Sequence, residues 1–219
     1  MHRLQREIDE LKRRLSELMG MVEERVWMAV KALEERDAEL ASSVIESDDE
    51  IDEFETRLEE ECLKVLALYQ PVAIDLRYIV TILKVNAELE RVGDLAVNVA
   101  ERAEFLARHK EIETPRLLKD MANKALAMLK DSLDALTRMD AKLARSVCGA
   151  DDEVDELNRE MFRLTEDLIE NDPGDVKPLI HLLSVSRHLE RIADHATNIA
   201  EDVVYLIEGE IVRHRPERF

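Results

Sequence analysis

Residues 89–101, LERVGDLAVNVAE, recur one hundred positions later as residues 189–201, LERIADHATNIAE. The two segments share every carboxylate, and most of the differences exchange one apolar residue for another. A second pair of segments, DDEIDE at 48–53 and DDEVDE at 151–156, repeats at a spacing of 103 residues. Internal repeats identify an architecture before any single residue does, so the chain is a tandem duplication of two units of about 100 residues each.

The composition favours long helices over sheets. Hydrophobic residues make up 46% of the chain and charged residues 37%, while only five glycines and five prolines interrupt it. This balance is typical of helical proteins. Proline, glycine and capping residues divide the chain into six helices, and short loops make consecutive helices antiparallel. We therefore predict an all-α fold of two tandem, similar antiparallel three-helix bundles, with domains at residues 1–110 and 111–219.

Caps and chain breakers locate the helix ends. Asp37 and Asp140 are N-cap residues, and in the Thr114–Pro115 pair threonine is the cap and proline the first helical residue. The difference between the two repeat spacings falls in the turn before the third helix of each unit, at Gln70–Pro71 and at residues 171–174, because insertions are tolerated in turns. The first predicted helix ends at about residue 33, the second covers 37–68, and the third runs from the turn at Gln70–Pro71 to about 109. The fourth begins at Thr114–Pro115, the fifth covers 140–171, and the sixth extends from Asp175 to about Ile211.

The net charge of −19 excludes several classes of partner. Nucleic acid and bare anionic lipid both require a clustered basic surface, which this composition does not favour. No apolar segment approaches the roughly 18 residues that span a bilayer. Two isolated cysteines indicate neither a disulfide framework nor a zinc knuckle and fit a reducing compartment. We therefore expect a cytoplasmic protein that reaches a membrane only through partners.

The acidic segments of each repeat are predicted to lie side by side. In an antiparallel hairpin, residues equally distant from the turn lie at the same height, and positions 50 and 92 have their midpoint at Pro71. Positions 153 and 192 have theirs between Asp172 and Pro173, on the second turn. If the helix faces agree, each repeat therefore brings six acidic groups to one level. The carboxylates of the third helix of each repeat lie about 120° from its apolar stripe, on a flank of the bundle. The six groups are Asp48, Asp49, Asp52, Glu53, Glu90 and Asp94 in the first repeat, and Asp151, Asp152, Asp155, Glu156, Glu190 and Asp194 in the second.

Like charges at such spacings repel one another, and a multivalent cation would remove that cost. Oxygen-only ligand sets favour hard cations. The absence of a Glu-x-x-His pair counts against ferritin-like chemistry, and His181, His188 and His195 are interpreted as packing or surface residues. With no phosphate loop, H-E-x-x-H or G-x-S-x-G motif, we expect a protein that is not an enzyme.

The segment QPVAIDLR at 70–77 and the two LER blocks at 89–94 and 189–201 resemble the PhoU family of phosphate-transport regulators. The resemblance covers both repeats. It implies two similar three-helix bundles and multinuclear clusters of iron or other hard cations (Mg, Mn or Ca, with Zn as a further candidate) at the acidic positions above. It adds Glu101, Glu201, Asn98 and Asn198 as further candidate ligands.

The resemblance also implies a function. A PhoU-like protein is expected to restrain phosphate uptake and the phosphate-starvation response by linking the ATPase of the phosphate ABC transporter to a sensor histidine kinase, and to form a homodimer. Ala193 stands where the first repeat has Gly93, and Asp175-Val176-Lys177 replaces the Asp-Leu-Arg of the first repeat. Two alternatives stay open: a metal buffer, and a metal-free helical scaffold whose acidic faces dock a basic protein.

Overall fold

The structure, a computed structural model, describes residues 2–109, 114–171 and 176–209. These residues are helical apart from short connections and contain no strand, which confirms the all-α prediction. The described part includes no helix that is both long and apolar enough to cross a membrane. The helices are α1 (His2–Glu35), α2 (Ala38–Glu46), α3 (Asp48–Tyr69), α4 (Ala73–Ala107), α5 (Arg116–Arg138), α6 (Ala141–Asn171) and α7 (Val176–Glu208).

Two predicted N-caps are confirmed, at Asp37 and Asp140. A side-chain oxygen of Asp37 accepts hydrogen bonds from the second and third amides of α2, both at 3.0 Å. Asp140 caps α6 in the same way, again at 3.0 Å. Each cap satisfies amides that have no partner inside the helix. The break before α4 is also confirmed, because Gln70 ends α3 in the left-handed conformation at φ 46°.

Two helix ends differ from the prediction. The second predicted helix is broken at Ser47 into α2 and α3, since the Ser47 hydroxyl and amide both turn back to the carbonyl of Val44, at 3.0 and 3.3 Å. Such local bonds compete with the helical ones, and the matching residue of the second repeat, Ala150, has no hydroxyl and stays helical. The helix α5 begins at Arg116 after Pro115, without a side-chain cap from Thr114.

Some expectations fall on residues outside the described part. These are the turn residues Asp172, Pro173 and Gly174 and the start of a helix at Asp175. The end of that helix, expected near Ile211, lies close by at Glu208. The predicted boundary between residues 110 and 111 also lies outside the described part. The division into domains 1–110 and 111–219 therefore stays a prediction.

The helices α4 and α7 form the centre of the molecule. α4 packs on α1, α2 and α3, α7 packs on α5 and α6, and α4 and α7 pack on each other. They are antiparallel, because Lys84 near the start of α4 meets Asp202 near the end of α7, whereas Phe105 near the end of α4 meets His181 near the start of α7. Each fully buried leucine or isoleucine in these helices, such as Leu89 or Ile192, contributes about 1.5–3 kcal/mol.

The candidate metal-binding patches

The first repeat brings four carboxylates together between α3 and α4. We call Asp48, Asp52, Glu90 and Asp94 the first acidic patch. In each helix the two residues are four positions apart and so lie on one face. One carboxylate oxygen from each of Asp52, Glu90 and Asp94 lies within 4.8 Å of the others. These residues therefore lie at the same height along the two helices, as their equal distances from the turn at Pro71 predict.

A glycine allows the two helices to approach closely at this level. Gly93 of α4 lies against Ile51 of α3, and a Cβ atom added at Gly93 would meet the Ile51 side chain at 3.1 Å. Ile51 is buried and follows directly after the acidic first turn of α3. The apolar contact between Ile51 and Gly93 therefore fixes the register that sets Asp52 opposite Asp94.

The carboxylates of the first acidic patch repel one another. Burial raises the pKa of Glu90, and the charges of Asp94 and Asp52 raise it further. The pKa of Asp94 is raised by burial and then by Asp52. No described lysine or arginine forms an ion pair with Asp52, Glu90 or Asp94. The patch thus holds converging negative charge, which is the environment that a cation stabilises.

The second repeat forms a related patch between α6 and α7. We call Asp151, Asp155, Glu190 and Asp194 the second acidic patch. Burial, followed by the charges of Asp194 and Asp155, raises the pKa of Asp151 to about 6. Burial also raises the pKa of Glu190, and Asp155 and Asp151 add to it. Within the described ranges, only the first patch brings three ligand oxygens within 4.8 Å of one another.

Several predicted ligands are not among the converging carboxylates of the two patches. Glu53 is exposed and pairs with Arg57 at 3.6 Å, and Glu156 pairs with Arg159 at 2.7 Å. These residues lie one position after a patch residue, and that step of about 100° turns them to another helix face. Glu101 pairs with Arg102 at 3.3 Å, Asp49 and Asp152 are exposed next to their patches, and Glu201 lies close to Cys148.

The two candidate asparagines also have other partners. The amide of Asn98 donates to the backbone carbonyl of Asp94 at 2.7 Å. Asn198 donates to the carboxylate of Glu88 at 3.2 Å, across the contact between α4 and α7. The structure therefore gives both amide nitrogens a role in fixing the helices next to the patches.

One acidic neighbour of the first patch was missed. Glu55 is close enough to Glu90 to raise its pKa, after larger effects from burial, Asp94 and Asp52. The Asn86 amide donates to the side chain of Glu55 at 3.1 Å and to its carbonyl at 3.0 Å. Glu55 follows Asp48 by seven positions, which places it on the same face of α3. This spacing is the sequence signal that predicts Glu55 as a neighbour of the patch.

A buried network joins the two repeats beside the patches. Glu88 is 7% exposed, and its Oε2 atom lies 2.6 Å from Nδ1 of His195. Burial acts to raise the pKa of Glu88, but hydrogen bonds from His195 and Asn198 outweigh it and hold that pKa below its usual range. The network was not predictable from either repeat alone, since Glu88 and His195 belong to different repeats.

Comparison with known proteins agrees with this architecture. The PhoU domain family matches residues 15–103 and again residues 118–203. A "phosphate-specific transport system accessory protein PhoU homolog" from Aquifex aeolicus is 41% identical and covers 97% of this chain and 96% of its own length. A homologue with the same description from Pseudomonas aeruginosa is 40% identical, covering 95% of this chain and 86% of its own.

Solved structures show the same fold. The crystal structure of PhoU from Pseudomonas aeruginosa superposes with a TM-score of 0.89 at 39% identity, covering 94% of this chain and 99% of that one. The phosphate transport system regulatory protein PhoU from Streptococcus pneumoniae has a TM-score of 0.88 at 30% identity, covering 95% and 99%. With both repeats matched by the family and the full-length relatives above 30% identity, this chain belongs to the PhoU family.

Proposed function

We propose that the protein is a regulator of phosphate-specific transport that works by binding metal and partner proteins, and not by catalysis. The family, and the description of its relatives as accessory and regulatory proteins of phosphate-specific transport, support a role in phosphate transport. The resemblance supports the finer proposal, in which the protein restrains phosphate uptake and the starvation response by linking the transporter ATPase to a sensor histidine kinase. It would do so as a homodimer in the cytoplasm, at the membrane only through those partners.

The convergence of Asp52, Glu90 and Asp94 carries the metal-binding part of the proposal. The donor set consists of carboxylate oxygens, which suits iron in an oxygen environment, Mg²⁺, Mn²⁺ or Ca²⁺ better than it suits the soft ligand sets of structural zinc sites. A bound cation would remove the repulsion that raises the pKa values of Glu90 and Asp94, after burial has raised them first. The second acidic patch offers the same residue types at the matching positions.

Metal binding gives the protein a way to change its surface. Both patches lie on the flank of their bundles and are partly exposed. Loading them with multivalent cations turns two acidic surfaces into neutral or cationic ones, and that change decides which charged partner docks. A metal buffer requires a buried ligand set instead, and the exposure of Asp52 and Asp94 argues against it.

The proposal is tested in a bacterium that lacks its own PhoU-family gene and carries a phosphate-starvation reporter. The wild-type chain is expected to restore repression in high phosphate. A triple variant, Asp52→Asn with Glu90→Gln and Asp94→Asn, is expected to fail at equal protein abundance on an immunoblot. A matched variant neutralises three exposed glutamates away from the patch, Glu24→Gln, Glu34→Gln and Glu60→Gln, and is expected to repress normally.

Two outcomes contradict the proposal. A wild-type chain that leaves reporter and phosphate uptake unchanged argues against regulation of phosphate transport. Full repression by the triple variant argues that the first acidic patch has no part in it, and favours the metal-free scaffold, whose binding to a basic partner would weaken strongly with salt.

A further inference from the structure

Three buried side-chain nitrogens without a hydrogen-bond partner lie in one part of the contact between α4 and α7. They are Nε of Arg102 and Nδ1 of His181 and His188. Among the described residues, no other buried side-chain nitrogen lacks a partner. A buried polar group left unpaired costs about 1–3 kcal/mol, so three at one place call for a specific explanation.

The rings and the hydroxyl at this place are held in position. The ring of His181 stacks on Phe105, with centroids 3.6 Å apart and planes 9° from parallel. Nε2 of His188 lies 3.2 Å from the Ser184 hydroxyl. When that hydroxyl donates to Nε2, the neutral ring carries its proton on Nδ1 and presents an N–H donor. We call Arg102, His181, Ser184 and His188 the donor cluster.

The contact between α4 and α7 contains a second set of residues at the equivalent positions of the two repeats, and there a cation is paired with an anion. At the positions one hundred residues away, Lys84 donates to the carboxylate of Asp202 at 2.7 Å, and Asp202 is 2% exposed. The residue that matches Asp202 is Arg102, and the residue that matches Lys84 is Ser184. The donor cluster therefore has the cation Arg102 at the position of the anion Asp202, and the neutral hydroxyl of Ser184 at the position of the cation Lys84. It has no anion of its own at either position.

The charges around the donor cluster are mostly positive. Burial, followed by the charges of Arg102, Arg191 and Arg187, lowers the pKa of His188 to about 4. Burial also lowers the pKa of His181, followed by Arg102, His109 and Lys177. The carboxylate paired with Arg102 is the neighbouring Glu101, at 3.3 Å and half exposed, and such surface pairs contribute little. Positive charge is concentrated here in a chain whose net charge is −19.

We propose that the donor cluster binds a small tetrahedral oxyanion such as inorganic phosphate. The Arg102 guanidinium and the Nδ1–H of His188, whose tautomer is set when the Ser184 hydroxyl donates to Nε2, offer the donors that such an anion accepts from. Guanidinium groups match oxyanions with paired N–H bonds. The Arg102 side chain is 32% exposed although its Nε atom is buried, so this residue extends from the donor cluster to solvent. The anion supplies the negative charge beside Arg102 that Asp202 supplies beside Lys84.

This site is separate from the acidic patches and does not depend on the proposed function. The donor cluster contains no carboxylate, so oxyanion binding there needs no bound metal. Phosphate held on a metal ion at Asp52, Glu90 and Asp94 would instead disappear with the metal. Protein that has been treated with a chelator distinguishes the two.

The test is isothermal titration of the chelator-treated full chain with phosphate, with sulfate as a second tetrahedral oxyanion and chloride as a control. We expect saturable binding of phosphate and sulfate at about one anion per chain. Arg102→Gln is expected to weaken it about tenfold or more, because it removes a charge-assisted donor. The matched control is Arg108→Gln, which removes an exposed arginine from the end of the same helix and is expected to bind as the wild type does.

A second variant keeps the test decisive if Arg102→Gln disturbs folding. Arg102→Asp combined with Ser184→Lys copies the Lys84–Asp202 pair into the donor cluster and is expected to keep the thermal midpoint while abolishing oxyanion binding. No saturable binding by the wild-type chain overturns the proposal. So does undiminished binding by Arg102→Gln, or binding that is lost on chelator treatment.

Discussion

Substituting Asp151 with asparagine is expected to stabilise the metal-free protein. In the folded chain, burial and then the charges of Asp194 and Asp155 raise the pKa of Asp151 from 3.8 to about 6. The charged form is therefore less favourable in the fold than in the unfolded chain. Asparagine has a similar shape and carries no charge, so Asp151→Asn removes this cost at neutral pH.

The size of the effect follows from the pKa difference. At about 1.4 kcal/mol per pKa unit, a rise from 3.8 to about 6 corresponds to about 3 kcal/mol. Asp151 keeps partial contact with solvent, and screening reduces the expected gain to about 1–2 kcal/mol. For a chain of 219 residues, each kcal/mol raises the thermal midpoint by about 2–4 °C.

The pH dependence has a definite sign. Because the folded pKa lies above the unfolded one, the protonated carboxyl favours the fold below pH 3.8, and that stability is lost as the pH rises to about 6. Asp151→Asn should therefore gain over the wild type across this interval and keep the gain above pH 6. The assay is thermal unfolding in the presence of chelator at a series of pH values, monitored by circular dichroism.

The control is Asp152→Asn, which removes one charge from the exposed neighbouring position of α6 and is expected to change stability by less than about 0.5 kcal/mol at neutral pH. Adding Mn²⁺ should reverse the order, raising the midpoint of the wild type more than that of Asp151→Asn. A variant that is no more stable than the wild type in chelator at pH 7.5, or an equal gain from Asp152→Asn, refutes the reasoning.

Three further substitutions probe the framework of the patches. In Gly93→Ala the added Cβ meets the Ile51 side chain at 3.1 Å, and this overpacking costs about 1–3 kcal/mol, against about 1 kcal/mol that alanine gains over glycine inside a helix. We expect a net loss of about 1 kcal/mol in urea unfolding, which Ile51→Val should partly recover. Glu88→Ala leaves His195 without its buried partner and is expected to cost about 2–4 kcal/mol by the same assay; a cost below 0.5 kcal/mol would contradict the role of the network. Asp37→Ala removes two hydrogen bonds from the start of α2 and should cost about 1 kcal/mol, measured as an earlier thermal transition, whereas an unchanged midpoint would show that solvent replaces the cap.

The internal repeat and the turn at Pro71 were sufficient to predict which helices pair and which residues lie level. That inference works because the residues of a hairpin have fixed heights, and it placed Asp52 beside Glu90 and Asp94. Height alone does not fix the direction of a side chain around its helix. Glu53 and Glu156 were included for that reason, although each turns away from its patch towards an arginine.

Other features depend on contacts that no single repeat contains. The bond between Glu88 and His195 and the donor cluster around Arg102 arise only when α4 meets α7. The break at Ser47 depends on one hydroxyl group that competes for the carbonyl of Val44. Repeat patterns report what the two units share, whereas these features come from residues that differ between them.

We expect the acidic patches to hold hard cations. The most direct test is the number of metal ions per chain, measured by elemental mass spectrometry on protein purified without chelator or affinity-tag metal. The wild type is compared with the Asp52→Asn, Glu90→Gln, Asp94→Asn variant. We expect several hard cations per wild-type chain and about half as many in the variant, because the second acidic patch is intact. A wild-type chain that holds no metal, and takes up none when iron, manganese or magnesium is supplied, would contradict this expectation.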